Sequence, residues 1–172
     1  MLSIAYFFID LCLLRRAPQD LPASSLILGM VVAASMLGSM LLALSAGQEA
    51  FVGLLQGLMD IGLTLALVYA ILRLTDKPAR FLQTATALVG ADTFIGLIAL
   101  LPLSVAAGAD QASSFVVLAG FLFLGLVFWG VLATAHILRH ALEIRLIQGI
   151  LVAIAYDVLA FMLIGGMTRS FG

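Results

Sequence analysis

The fold is decided by residues 50–103, which read AFVGLLQGLMDIGLTLALVYAILRLTDKPARFLQTATALVGADTFIGLIALLPL. Two apolar runs, Ala50–Leu72 and Phe81–Leu101, flank a short charged turn. Each run reaches the length of about 20 apolar residues that a helix needs to cross a bilayer. The stretch therefore predicts a transmembrane helical hairpin, with Asp60 near the middle of one helix and Asp92 near the middle of the other.

The composition extends this membrane interpretation to the whole chain. Of the 172 residues, 64% are hydrophobic and 10% are charged, whereas soluble domains are about 45–50% apolar and about 25% charged. We therefore exclude a water-soluble core and expect one integral membrane domain, residues 1–172. The formal net charge of −1 gives no indication of a nucleic-acid partner. Cys12 is the single cysteine of the chain, so no intrachain disulfide can form.

Five spans follow from the positions of the apolar runs. We predict an all-α, polytopic membrane helix bundle of five transmembrane helices, at about Ala23–Leu44, Ala50–Leu72, Phe81–Leu101, Phe115–Ile137 and Ile147–Gly165. Pro102 is expected to close the third span, because proline lacks the backbone N–H that a continuing helix uses.

Residues 1–22 precede the first span as a short helix and a linker. The apolar segment Leu2–Leu14 would rise only about 20 Å as a helix, against a hydrocarbon core of about 30 Å. We therefore expect an interfacial or partly inserted helix that keeps Asp10 near water. The alternative is a sixth, short span. Pro18 and Pro22 interrupt the linker that follows.

The basic residues indicate the orientation of the bundle. Seven of the eight fall in segments that five spans would place on one side of the membrane: Arg15, Arg16, Arg73, Lys77, Arg80, Arg139 and Arg145. Because Lys and Arg are enriched in cytoplasmic loops, we predict a cytoplasmic N-terminus and an external C-terminus. The excess of Arg over Lys points to a bacterium, and hence to the inner membrane.

The same seven residues are candidate contacts for anionic lipid headgroups, and membrane lipids are therefore expected partners. The alternative is that these charges only determine topology. On a helical extension of the fourth span, Arg139 and Glu143 lie four residues apart. This spacing predicts an ion pair between them.

Three carboxylates lie inside the predicted spans: Asp60, Asp92 and Asp157. Each lies 12 or 13 residues from the basic residue at the inner end of its span. At 1.5 Å per residue, all three share a level about 18–20 Å from that end. A charged carboxylate at mid-membrane costs about 2.5–3.5 kcal/mol, and no Lys or Arg lies at this level. We therefore expect the three side chains to face the interior of the bundle.

Small and polar residues recur on the same helix faces as the carboxylates. Because such residues allow close approach and hydrogen bonding between helices, we expect spans two, three and five to meet there. The candidate intramembrane polar or ion site comprises Asp60, Asp92, Asp157, Gln56, Thr64, Thr93 and Tyr156.

Three interpretations of this site are open. The functional one is a proton or cation site, since clustered carboxylates without a counter-charge hold a proton or bind a cation. The structural one is that each carboxyl is protonated, or caps a break in the backbone, or bonds a hydroxyl such as that of Tyr156 or Thr93, and only holds the bundle together. The third is that an acid pairs with a basic residue of another chain.

Several glycines point to close helix packing. Gly53 and Gly57 form a G-x-x-x-G pair, which is typical either of self-association or of packing inside one bundle. Gly120, Gly125 and Gly130 recur every five residues, which predicts flexibility or several close contacts of span four.

Two histidines and one tryptophan complete the candidates. His136 and His140 have a spacing found in metal sites, but a second ligand pair is missing. We expect them to form interfacial hydrogen bonds at a water-facing helix end. Trp129 is too deep for an interfacial position and is expected to pack between helices. The sequence thus predicts no metal site, no cofactor site and no catalytic residue.

Three stretches resemble the Yip (Ypt-interacting protein) family, in particular its short bacterial members: Arg16–Ser24, Lys77–Thr84 and Trp129–Glu143. The layout of five spans with a cytoplasmic N-terminus is similar as well. In eukaryotes this resemblance implies membrane-trafficking adaptors that contact prenylated small GTPases and other membrane proteins. Residues 1–22 stand where those adaptors carry a long soluble region. The resemblance implies no catalytic residue.

From the sequence we expect a non-enzymatic integral membrane protein that acts through membrane-embedded contacts, as an oligomer or as a partner of another membrane protein. The alternative is a small proton- or cation-coupled transporter or channel component that uses Asp60, Asp92 and Asp157. Dry packing around the carboxylates would favour the first function, and a water-accessible cavity would favour the second.

Overall fold

The computed structural model describes residues 2–108 and 114–170, and this part of the chain is entirely helical apart from short connections. Its six α-helices are α1 Leu2–Cys12, α2 Ser25–Ser45, α3 Ala50–Leu74, α4 Phe81–Gly108, α5 Ser114–Leu142 and α6 Leu146–Ser170. Short 3-10 turns, Pro18–Asp20 and Pro78–Arg80, precede α2 and α4. The predicted all-α class is confirmed.

Four of these helices, α2 to α5, are long and apolar enough to cross a membrane. Their outer surfaces carry exposed apolar side chains, including Leu58 on α3 and Phe121 on α5. Such a surface is typical of contact with lipid and not with water. The fifth predicted span corresponds to α6, which has 25 residues. The described apolar section of α6, Leu146–Met162, is shorter than the four helices that can cross a membrane. The fifth span therefore stays a prediction.

The turn between α2 and α3 lies close to its predicted position. Gly47 follows α2 with a φ of 74°, a left-handed conformation that glycine adopts without steric cost. Glu49 then returns to an extended conformation immediately before α3. The tight turn predicted between the first two spans is therefore present.

Two helices run further than the spans predicted for them. Helix α4 continues through Pro102 to Gly108, so the expectation that this proline ends the span is wrong. A proline removes one helical hydrogen bond, but membrane helices tolerate it because neighbouring groups compensate for the loss. Helix α5 continues to Leu142, beyond the predicted end at Ile137. It ends where Glu143 adopts a φ of 60°.

Helix α4 is central, and it packs most extensively against α2 and α5. Helix α3 packs mainly on α2, and α6 packs mainly on α5. The expectation that spans two, three and five meet through their small residues is therefore only partly met, because α3 makes smaller contacts with α4 and α6.

The small residues of α3 and α6 pack elsewhere. A Cβ atom added to Gly53 would lie 2.6 Å from the Cβ atom of Ala43 on α2. One added to Gly149 would lie 2.6 Å from the carbonyl oxygen of Ala135 on α5. Gly57 likewise packs against Ser39 of α2. The G-x-x-x-G pair of α3 therefore serves packing within the bundle.

Helix α1 is tucked against α4 and α5. Phe8 lies over Gly90, where any side chain would collide with its ring. Leu11 and Cys12 are fully buried, and Trp129 Nε1 donates a hydrogen bond of 2.7 Å to the Cys12 carbonyl. The position of α1 relative to the membrane stays a prediction. The predicted position of Trp129 between helices is confirmed.

Three connecting segments meet at one end of the bundle. Gln19 in the first linker donates to the His140 carbonyl over 2.6 Å. Lys77 in the α3–α4 turn donates to the Leu142 carbonyl over 2.7 Å. The seven basic residues predicted to share one side lie in the first linker, in the α3–α4 and α5–α6 turns, and in the last turns of α3 and α5. We call this the basic end.

Candidate functional site

Five helices meet around a small interior cavity of about 120 Å³, the central cavity. Asp60 of α3, Asp92 of α4 and Asp157 of α6 all line it. The structure thus brings together the three carboxylates that the sequence placed at one level. The other side chains around it are Ser35, Ile61, Thr64, Leu88, Val89, Thr134, Tyr156 and Ala160.

Two larger cavities adjoin the central one. The first, of about 380 Å³, lies between α2, α3 and α4 and is lined by Gln56, Asp60, Asp92 and Thr93 among others. The second, of about 410 Å³, lies between α4, α5 and α6 and is lined by Asp92 and Asp157. Asp92 therefore borders all three spaces. The Asp92 side chain lies in the centre of the bundle. It is nevertheless exposed, because it faces these cavities.

The carboxylates have no compensating partner inside the bundle. Among the described residues, none of the three accepts a hydrogen bond or forms an ion pair. A charged carboxylate in hydrocarbon costs about 2.5–3.5 kcal/mol, and cavity water or a bound proton can offset this cost. The cavities beside the carboxylates leave space for water at this site.

The hydroxyl groups considered as partners of the carboxylates bond other groups. Tyr156 of α6 and Thr64 of α3 form a hydrogen bond with each other in the lining of the central cavity. Thr93 donates to the Val89 carbonyl of its own helix over 2.6 Å. Neither hydroxyl bonds an aspartate, so this form of the structural interpretation does not occur in this structure. Helical threonine hydroxyls commonly bond the carbonyl four residues earlier in this way.

Sequence analysis missed the contribution of α2 and α5. Ser35, Gly38 and Ser39 of α2 line the cavity that reaches Asp60, and Thr134 of α5 lines the central cavity. The spacing of Ser35 and Ser39, four residues apart, was a usable signal, because it places both on one helix face. No charged residue lies near Ser35 and Ser39 in the sequence, so this helix face was not predicted to line the site.

The histidine pair lies away from the carboxylates. His136 is only 2% exposed, and its Nε2 atom bonds the Arg16 carbonyl over 2.8 Å. The expected water-facing position is therefore wrong for His136, because the first linker covers it. Within the ranges that the structure describes, no group of three His, Cys, Asp or Glu residues is arranged to hold a metal ion.

At the basic end, Glu143 connects the α5–α6 turn to the α3–α4 turn. It forms ion pairs with Lys77, at 2.7 Å, and with Arg80. The hydrogen bonds from Lys77 and Arg80 lower the pKa of Glu143 to about 2, so the carboxylate stays ionised. The predicted pairing of Arg139 with Glu143 is wrong, because the left-handed backbone at Glu143 leaves the helix and the α3–α4 turn supplies two cations.

The candidate lipid contacts fall into two groups. Lys77 and Arg80 are engaged within the protein, since both also donate to the last carbonyls of α5. Arg16 pairs with Asp10 over 3.5 Å. The remaining four form no ion pair among the described residues: Arg15, Arg73, Arg139 and Arg145.

Comparison with protein-family models, with curated proteins and with solved structures finds no match to this chain. The resemblance to the Yip family therefore stays a prediction. In its described part, the chain is an all-helical bundle with four helices of membrane-spanning length and composition and with three carboxylates around one interior cavity.

Proposed function

We propose that the protein is a small proton-coupled transporter or channel component that binds and releases protons at Asp60, Asp92 and Asp157. The observation that carries this proposal is the position of Asp92. It lines three adjoining cavities and has no partner among the described residues. Ionisable groups facing cavities inside a membrane are typical of proton and ion pathways. The proposal assigns no enzymatic activity.

A proton suits this arrangement better than a multivalent metal ion. A metal site needs several ligands that converge on one point, and no such group occurs in the described part of the chain. A proton needs only one carboxylate at a time and water to carry it onward. The central cavity of about 120 Å³ has room for several water molecules of about 30 Å³ each.

The three carboxylates would act in sequence. Asp60 and Asp92 share the cavity beside α2, and Asp92 and Asp157 share the cavity beside α5. Of the three carboxylates, Asp92 alone lines both of these cavities, so a proton that passes from one cavity to the other would pass Asp92. The hydrogen bond between Thr64 and Tyr156 joins α3 to α6 and supports one wall of this path.

Proton flux into liposomes tests the proposal. The triple variant Asp60→Asn, Asp92→Asn, Asp157→Asn keeps the side-chain shapes but cannot exchange protons. With an internal pH-sensitive dye and an imposed pH gradient, we expect wild-type flux above that of protein-free liposomes and triple-variant flux equal to it.

Asp76→Asn is the matched control. Asp76 is an exposed carboxylate in the α3–α4 turn, with a φ of 57° that asparagine also tolerates. This variant should transport as the wild type does. Wild-type flux no greater than that of empty liposomes, or undiminished flux in the triple variant, would contradict the proposal.

We also propose that the basic end faces the cytoplasm of a bacterium, which gives a cytoplasmic N-terminus. Two contacts support a shared side for the basic segments, those of Gln19 and of Lys77 with the end of α5. The excess of basic residues then follows the usual bias of cytoplasmic loops. If α6 also crosses the membrane, the C-terminus lies outside.

A second candidate function is contact with another membrane protein or with a second copy. Two exposed glycines of α5 favour it, because a Cβ atom built on Gly120 or Gly125 would have no described neighbour within 4 Å. Among the described residues, these two glycines therefore lack the close contacts that their spacing allowed. Exposed small residues on a membrane helix leave room for another helix to approach.

A further inference from the structure

A separate cavity of about 500 Å³ opens at the basic end. It lies between the first linker, the end of α5 and the start of α6. Arg139, His140 and Arg145 provide its basic side chains, and Gln19 provides an amide. The other lining residues are Glu143, Ile144 and Leu146. None of them borders the carboxylate cavities.

The two arginines of this cavity have unused capacity to bind an anion. Neither Arg139 nor Arg145 forms an ion pair among the described residues. The Nε atom of Arg139 is buried and has no hydrogen-bond partner, which is costly for a charged donor. Arg139 Nη2 contacts His140 Nε2 over 3.3 Å, so the histidine accepts this bond.

Glu143, the carboxylate that lines this cavity, does not neutralise Arg139 and Arg145. Both oxygens of Glu143 are engaged, one by Lys77 and the other by Arg80. Its charge is therefore compensated from the α3–α4 turn. The cavity keeps two arginines without counter-ions beside the first residue of α6, where a helix carries a partial positive charge.

We propose that this cavity binds a phosphate ester group, with Arg139 and Arg145 as its cationic ligands. The planar guanidinium of arginine donates two parallel hydrogen bonds to phosphate oxygens. The phosphodiester of an acidic phospholipid is the favoured source, because the cavity lies where two apolar helices, α5 and α6, reach the basic end. A soluble phosphate monoester has the same chemistry.

Native mass spectrometry of the whole protein in neutral detergent tests this. The probes are phosphatidylglycerol, zwitterionic phosphatidylcholine and glycerol 3-phosphate, which lacks acyl chains. We expect phosphatidylglycerol to bind in preference to phosphatidylcholine. Arg145→Gln and Arg139→Gln should each weaken phosphatidylglycerol binding by about tenfold, the size expected for one charged hydrogen bond.

Arg73→Gln is the matched control, since Arg73 is an exposed arginine at the end of α3 that does not line the cavity. It should change the affinity by less than about twofold, as for a screened surface charge. Arg145 is exposed as well, so its replacement leaves the packing intact even if Arg139→Gln does not fold.

Each outcome decides the proposal. Loss of binding with Arg145→Gln but not with Arg73→Gln supports it. Binding of glycerol 3-phosphate with the same dependence on Arg145 also supports it, and assigns a soluble source. Equal losses in both variants, undiminished binding in Arg145→Gln, or binding of phosphatidylcholine that equals that of phosphatidylglycerol and does not depend on Arg145 would overturn it.

Discussion

Replacing Gly53 by leucine is expected to lower the free energy of unfolding by about 2–3 kcal/mol, because overpacking a close helix contact forces the backbones apart. A Cβ atom at this position would lie 2.7 Å from the Ser39 carbonyl oxygen and 3.0 Å from the Met40 Cα atom. Both are backbone atoms of α2, so rotation of a side chain cannot relieve the collision. Unfolding of the purified protein in mixed micelles of dodecyl sulfate, followed by circular dichroism, measures the loss.

Gly62→Leu is the control for this substitution. Gly62 lies on the same helix, and a Cβ atom there would have no neighbour within 4 Å. Leucine is also the better helix former, by about 0.8 kcal/mol, so this variant should be at least as stable as the wild type. Similar stabilities for the two variants would show that α2 and α3 do not pack as described.

Asp92→Asn is expected to raise the free energy of unfolding by about 1–2 kcal/mol, part of the cost of an uncompensated carboxylate in a membrane. The carboxylate has no donor or cation partner in the described chain, and an amide of the same shape avoids the charge. Groups retained at such a cost commonly serve function instead of stability. The same unfolding assay measures the gain.

Asp76→Asn again serves as the control, and no change is expected because this carboxylate lies exposed in a turn. A fall in stability with Asp92→Asn would mean that a donor or a cation stabilises the carboxylate, and would contradict an uncompensated carboxylate at Asp92. An unchanged stability would mean that cavity water or a bound proton offsets the full cost of the charge.

Much of the architecture could be predicted from the sequence. Apolar runs of sufficient length predict the helices that span. Counting from the basic residues placed Asp60, Asp92 and Asp157 at one level, and the structure finds them around one cavity. Both inferences rest on the regular rise of a helix, and therefore need no knowledge of helix order.

The remaining features depend on contacts between distant residues. The position of α1 depends on the contact between Phe8 and Gly90. The partners of Glu143 come from a turn more than 60 residues earlier in the chain. The helix neighbours were predicted only in part, for a related reason. Small residues indicate close packing, but they do not say which helix approaches, and Gly53 meets α2 instead of α4 or α6.

Access of water to the carboxylates inside the bundle is the central claim. Gln56 lines the cavity beside Asp60 and Asp92, whereas Leu58, two residues later on the same helix, is an exposed outer side chain. In a Cys12→Ala background, single cysteines at these two positions can be treated in liposomes with a hydrophilic thiol reagent on both sides. We predict that Gln56→Cys is labelled and that Leu58→Cys is protected by lipid. Equal protection of both positions would show a dry interior and contradict the claim.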